Sequence, residues 1–133
     1  MSEANVSTVK SFYQALTQAD IPALVGMLDP EFQLERPQSL PYGGTYKGIE
    51  GGRQFFVAAS TVYDLQRTRF EPELFAADGD HVFVLVRCTM YTQGATKPFE
   101  TTAVDFWRLQ NGKLLLMKTF YQDTAENLRR LGQ

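Results

Sequence analysis

Cysteine is nearly absent from this sequence, with Cys88 alone among 133 residues. No disulfide can form within the chain, and the compartment expected is the reducing cytoplasm. Histidine is as scarce: His81 is the single one, which excludes a metal centre built from several imidazoles. Basic charge is not in excess, since 13 Lys and Arg face 15 Asp and Glu for a net charge of −2. Little is therefore available to neutralise phosphates, and nucleic acid is not an expected partner. The longest apolar runs, such as Val82–Val86 and Leu114–Met117, fall far short of a membrane span. The N-terminal MSEANVSTVK has no apolar stretch of the kind that marks a secretory leader. Glycine-rich phosphate loops, zinc-type spacings and serine elbows are missing, so no cofactor and no metal are expected. Repeats and low-complexity tracts are missing too, and residues 1–133 read as one domain.

What is present is apolar and aromatic: 44% hydrophobic residues and 13% aromatic ones, too many for a disordered chain. Val6, Val9, Phe12, Tyr13 and Leu16 recur at three-and-four spacing and predict a helix over Val6–Ala19. Asp20 is a good N-cap and Pro22 suits a first turn, so a second helix is expected over Ile21–Leu28. Phe32–Arg36 alternates like a strand, with Phe32, Leu34 and Arg36 on one face. Residues 37–48, rich in Pro and Gly, read as a loop, and Ile49–Ser60 as a third helix.

The period then changes. Strands are expected over Gln66–Phe75, His81–Tyr91, Phe99–Leu109 and Leu114–Gln122, with a hairpin signal at Asn111-Gly112. Asp123 to Glu126 forms a capping box that opens a short last helix. The sum is an α+β domain with three helices on one face of a mostly antiparallel sheet. The late strands do not alternate cleanly. Val104, Phe106, Leu116 and Phe120 make the second face partly apolar, and a homodimer through that outer face is the expected cover.

Three segments carry a resemblance: VKSFYQALTQADIPALVGMLDPEFQLERP (9–37), LPYGGTYKGIEGGRQFF (40–56) and TTAVDFWRLQNGKLLLMKTFYQDTAENLRRLG (101–132). Together they cover most of the chain, and it resembles the nuclear transport factor 2-like superfamily, in its SnoaL-like and ketosteroid isomerase-like branch. The resemblance implies a curved antiparallel sheet wrapped around three N-terminal helices into a cone. It also implies an apolar pocket open at one end and a dimer through the outer sheet face. In ketosteroid isomerases a tyrosine on the first helix and a protonated aspartic acid on a late strand hold an oxyanion, while an aspartate ending the first strand shuttles the proton. Phe12 falls at the tyrosine's place here. Tyr13 lies about 100° further round the helix and is expected to face elsewhere. Arg36 stands where the shuttling aspartate belongs, and Asp105 alone matches its counterpart, which argues against ketosteroid isomerase activity.

Asp105 is the leading site candidate because it shares a strand face with Phe99, Ala103 and Trp107. A carboxylate among apolar neighbours is paired, protonated or functional. Arg36 can pair with it, bind a substrate carboxylate or enolate, or extend to solvent. Asp123 is either an acid/base group or simply a helix cap. Phe12, Phe32, Leu34, Tyr46, Val84 and Val86 are expected to line the pocket. Cys88, Met90, Ala103, Trp107, Met117, Thr119 and Tyr121 complete that lining. His81 belongs to a turn and is not expected to act. Two functions fit. One is a cofactor-independent acid/base enzyme (isomerase, cyclase or hydratase type) on an apolar oxygenated molecule. The other is a non-catalytic ligand-binding or dimerisation module.

Overall fold

The computed structural model describes residues 2–132. In chain order these form α1 (Ser2–Thr17), α2 (Ile21–Met27), β1 (Leu28–Arg36), β2 (Gly44–Lys47), α3 (Gly48–Ser60), β3 (Arg69–Asp78), β4 (His81–Met90), β5 (Phe99–Gln110), β6 (Lys113–Tyr121) and α4 (Thr124–Arg130). The fold is α+β, with helices held in the concavity of one six-stranded sheet ordered β2-β1-β6-β5-β4-β3. Among the described residues no helix is long and apolar enough to cross a membrane.

Local chemistry sets the element ends. The Asp20 carboxylate accepts the Ala23 N–H at 3.2 Å and caps α2. β1 begins at Leu28, not at Phe32 as the alternation predicts. Asp29-Pro30-Glu31 is an irregular stretch within the strand, where the register against β6 jumps between Leu28 and Gln33. Pro30 is tolerated there because no ladder bond is required of it. The loop expected over residues 37–48 contains an edge strand, β2, paired antiparallel with Gln33–Arg36. The turn before it is tight: Gly43 N–H reaches the Leu40 carbonyl at 2.8 Å, and a Cβ on Gly43 would overlap the Pro37 carbonyl oxygen.

The sheet is mixed. β1 runs parallel to β6 and the other neighbours are antiparallel. Register breaks in β1, in β3 at Pro72/Leu74 and against β6 at Arg108/Leu109 bend the strands, which lets the sheet curve round α1 and α3. On β4 and β5 the inner positions Val82, Val84, Val86, Cys88, Met90 and Trp107 are fully or almost fully buried. The outer positions remain open, with Leu74 62%, Phe83 45% and Phe120 56% exposed.

Candidate active site

The sheet register builds one polar row on an otherwise apolar inner face. Asp105 on β5 pairs with Thr119 on β6 and with Val84 on β4. Glu35 pairs with Lys118, which sets Arg36 beside Thr119 on the next strand. Above this row α1 lowers Tyr13. Its hydroxyl donates to Asp105 Oδ2 at 2.6 Å, and Thr119 donates to Oδ1 at 2.7 Å. Trp107 Nε1 in turn donates to the Tyr13 oxygen at 3.1 Å. Indole N–H can only donate, so it occupies a lone pair on Tyr13 and directs the phenol proton towards the carboxylate.

Burial dominates the electrostatics. Asp105 is 5% exposed, and this desolvation raises its pKa above the usual carboxylate value. The Arg36 charge and the two hydroxyl donors oppose the shift. Burial and the neighbouring Asp105 push Tyr13 well above the ordinary phenol range, so it is a neutral donor and not a base. Cys88 is pushed up to about 12, chiefly by burial, and is no thiolate nucleophile.

The row borders a cavity of about 370 Å³, within the range of small-molecule sites. Its mouth lies between α2 and α3, where Ile21, Val25, Ile49 and Phe56 are partly exposed lining residues. A second polar cluster closes another part of the wall: Tyr42 hydrogen-bonds Tyr63 at 3.2 Å and donates to Tyr121 at 3.1 Å. Among the described residues, no group of three or more His, Cys, Asp or Glu side chains is placed to hold a metal ion.

The structure puts Asp105, Arg36, Phe12, Phe32, Leu34 and Val86 in the cavity wall, together with Cys88, Met90, Ala103, Met117, Thr119 and Tyr121. Four expected site residues lie elsewhere. Trp107 is fully buried beneath Phe12 and Tyr13, with ring centroids 4.7 and 6.1 Å away, and acts through its N–H. Val84 is fully buried in the core. Tyr46 stands behind Phe55, its hydroxyl bonded to the Tyr42 carbonyl at 3.1 Å. Asp123 caps α4, accepting the Glu126 N–H at 3.2 Å, and does not line the cavity. Arg36 forms no ion pair with Asp105, whose oxygens are taken by Tyr13 and Thr119.

Tyr13 corrects the expectation that it faces elsewhere. The stripe of a buried helix is at least about 100° wide, so Phe12 and Tyr13 both border the cavity, with Leu16 one turn on. The signal was available, because Tyr13 falls four residues after Val9 and three before Leu16. Tyr63 and Phe55 were also missed, as was the hydrogen bonding of Tyr42. Tyr42 sits in a turn, and Tyr63 between α3 and β3, where no periodicity reports a side chain's direction.

The SnoaL-like domain family model matches residues 9–117. An NTF2-like protein of unknown function from Burkholderia pseudomallei is 27% identical over 100% of both chains, with a TM-score of 0.87. TerC, co-crystallised with polyporic acid, is 22% identical, with 98% of this chain and 99% of that one covered and a TM-score of 0.88. A protein of ketosteroid isomerase-like fold from Catenulispora acidiphila, in complex with trimethylamine, is 17% identical over 94% of this chain and 92% of its own, with a TM-score of 0.76. No curated protein matches the chain significantly.

Proposed function

Since the chain belongs to the SnoaL-like domain family, we propose that its cavity carries out acid–base chemistry, without a cofactor, on an apolar oxygenated small molecule. Fold alone does not decide a reaction. The observation that carries this reading is the chain Trp107–Tyr13–Asp105–Thr119, hydrogen-bonded at the wall of an apolar cavity.

The chain has two protonation states with different abilities. Ionised Asp105 accepts from Tyr13 and Thr119 and can take a proton from a carbon acid or hydroxyl. Once protonated, its O–H turns to the Tyr13 or Thr119 oxygen. A hydroxyl proton is then released towards a substrate oxygen, where it stabilises an enolate-like charge. Returning the proton to another atom completes an isomerisation, a cyclisation or a hydration. Burial raises the Asp105 pKa above the ordinary carboxylate value, the direction that strengthens it as a base.

Both Asp105 oxygens are already engaged inside the protein, and this favours the second reading, a non-catalytic binder. Deuterium exchange separates the two. Apolar ketones, lactones and acidic enols are incubated with the protein in D2O and followed by NMR. Wild type is expected to exchange protons into at least one of them. Asp105→Asn is expected to lose about 10²–10⁴-fold of that rate, with an unchanged circular dichroism spectrum. Exchange that survives in Asp105→Asn refutes the proton-transfer role of Asp105; none with any compound supports the binder.

The same reading makes the protein a cytoplasmic homodimer. The buried free Cys88 fits a reducing compartment. In support of the dimer, Leu74, Leu85, Val104 and Phe120 line up across β3 to β6 on the outer face as a contiguous apolar row.

A further inference from the structure

One cation in the cavity wall makes no ion pair among the described residues. Arg36 has an oxygen partner only through Nη1, which donates to the Glu35 carbonyl at 3.2 Å. Its Nη2 has the Met117 sulfur at 4.0 Å, and its Nε is buried without a partner among the described residues. The guanidinium lies 4.4 Å from the Phe55 ring centroid. That contact satisfies its face but not its in-plane donors. The ion pairs of the described residues are made by other cations.

A proton count along the tyrosine cluster points to the same place. Each phenol has one proton. Tyr42 gives its own to Tyr121 at 3.1 Å, so the 3.2 Å contact to Tyr63 must be donated by Tyr63. The Tyr121 proton is then left without an acceptor among the described residues, on a side chain that lines the same cavity as Arg36. Free donors of a cation and of a phenol thus line one cavity, whose wall also holds Phe12, Phe55 and Phe56.

We propose that the cavity takes an aromatic acid, its carboxylate or enolate oxygens held by the Arg36 guanidinium and the Tyr121 hydroxyl, its ring lying among the phenylalanines. The groups facing Asp105 agree with an anionic ligand. Tyr13 comes from α1, Arg36 from β1, Cys88 from β4 and Thr119 from β6, and burial keeps Tyr13 and Cys88 protonated, as it does Tyr121 further along β6. Arg36 is the one full cation of that set. This names the substrate class for the cavity read above as a proton-transfer site, but it concerns binding alone and does not need turnover.

The test is calorimetric titration at pH 7 with 2-naphthoate and with its neutral isostere 2-naphthamide. Wild type is expected to bind the acid at least about tenfold more tightly than the amide, or about 1.4 kcal/mol. Arg36→Met is expected to abolish that preference while leaving amide affinity within about twofold. Arg36→Lys, which keeps the charge but loses the fork, retains part of it, and Tyr121→Phe weakens the acid only. Equal affinity of wild type for the two probes overturns the proposal. So does an unchanged preference in Arg36→Met, or the failure of either probe to bind. If acid preference persists while no compound exchanges protons, the proposed reaction fails and the anion seat stands.

Discussion

Replacing Tyr13 by Phe removes one oxygen atom and breaks two buried hydrogen bonds at once. Trp107 Nε1 loses its acceptor, and Asp105 Oδ2 loses its 2.6 Å donor. Trp107 is fully buried and Asp105 nearly so, leaving little water to compensate. An orphaned buried polar group costs about 1–3 kcal/mol, more when charged, so the two together are worth about 2–6 kcal/mol. For a chain of this size each kcal/mol moves Tm by about 3–5 °C, so Tm falls by about 6–30 °C. Urea unfolding followed by circular dichroism measures the loss directly, with m unchanged if the native state is otherwise intact. The cost also depends on pH. The Tyr13 hydrogen bond favours ionised Asp105, so the penalty is largest where the carboxylate is charged and shrinks on acidification. A double-mutant cycle with Asp105→Asn is expected to show a coupling of about 0.5–3 kcal/mol. A Tyr13→Phe protein within about 0.5 kcal/mol of wild type, or strict additivity in the cycle, refutes the network.

Other outcomes follow from the same geometry. The folded Asp105 pKa lies above its unfolded value of about 3.9, so the folded state holds the extra proton between the two. Its contribution is fully present below about pH 4 and is lost as pH rises through the folded value. Denaturation of wild type and Asp105→Asn across pH 4–8 should show wild type falling relative to the variant as pH rises; parallel curves refute this. On the outer face, the Leu74→Asp/Phe120→Asp pair is expected to convert a dimer into a monomer in analytical ultracentrifugation at micromolar protein, and a wild-type monomer contradicts the interface. Asp123→Ala is expected to cost about 1 kcal/mol, as lost helix caps do, with 2-naphthoate affinity unchanged. A loss of affinity would return Asp123 to the site.

Much of this molecule is readable in the sequence wherever a period enforces a face. The two-residue period of β4 and β5 placed Val86, Cys88, Met90, Ala103 and Asp105 on the inner side, where the structure has them. Capping chemistry gave the starts of α2 and α4. Period fails where long-range pairing decides. β2 is a strand because β1 offers it an edge, and its Gly- and Pro-rich approach reads locally as loop. The parallel union of β1 and β6 has no local signature at all. Tyr13 was missed for a geometric reason. A difference of 100° between helix neighbours separates faces only when the cavity is narrower than the stripe, and here it is wider.

The parallel pairing of β1 with β6 also governs the order in which the working parts can come together. Arg36 leaves the ribosome early, while Thr119 and Tyr121 are made only after β2, α3, β3, β4 and β5. Loop closure over that whole span must be completed before the polar row exists. In the interval the edges of β1 and β5 that β6 bridges are unpaired. The nascent protein is therefore at its most aggregation-prone just before β6 docks. A substitution that slows β6 docking would lower the yield of folded protein more than it lowers the stability of the molecules that succeed.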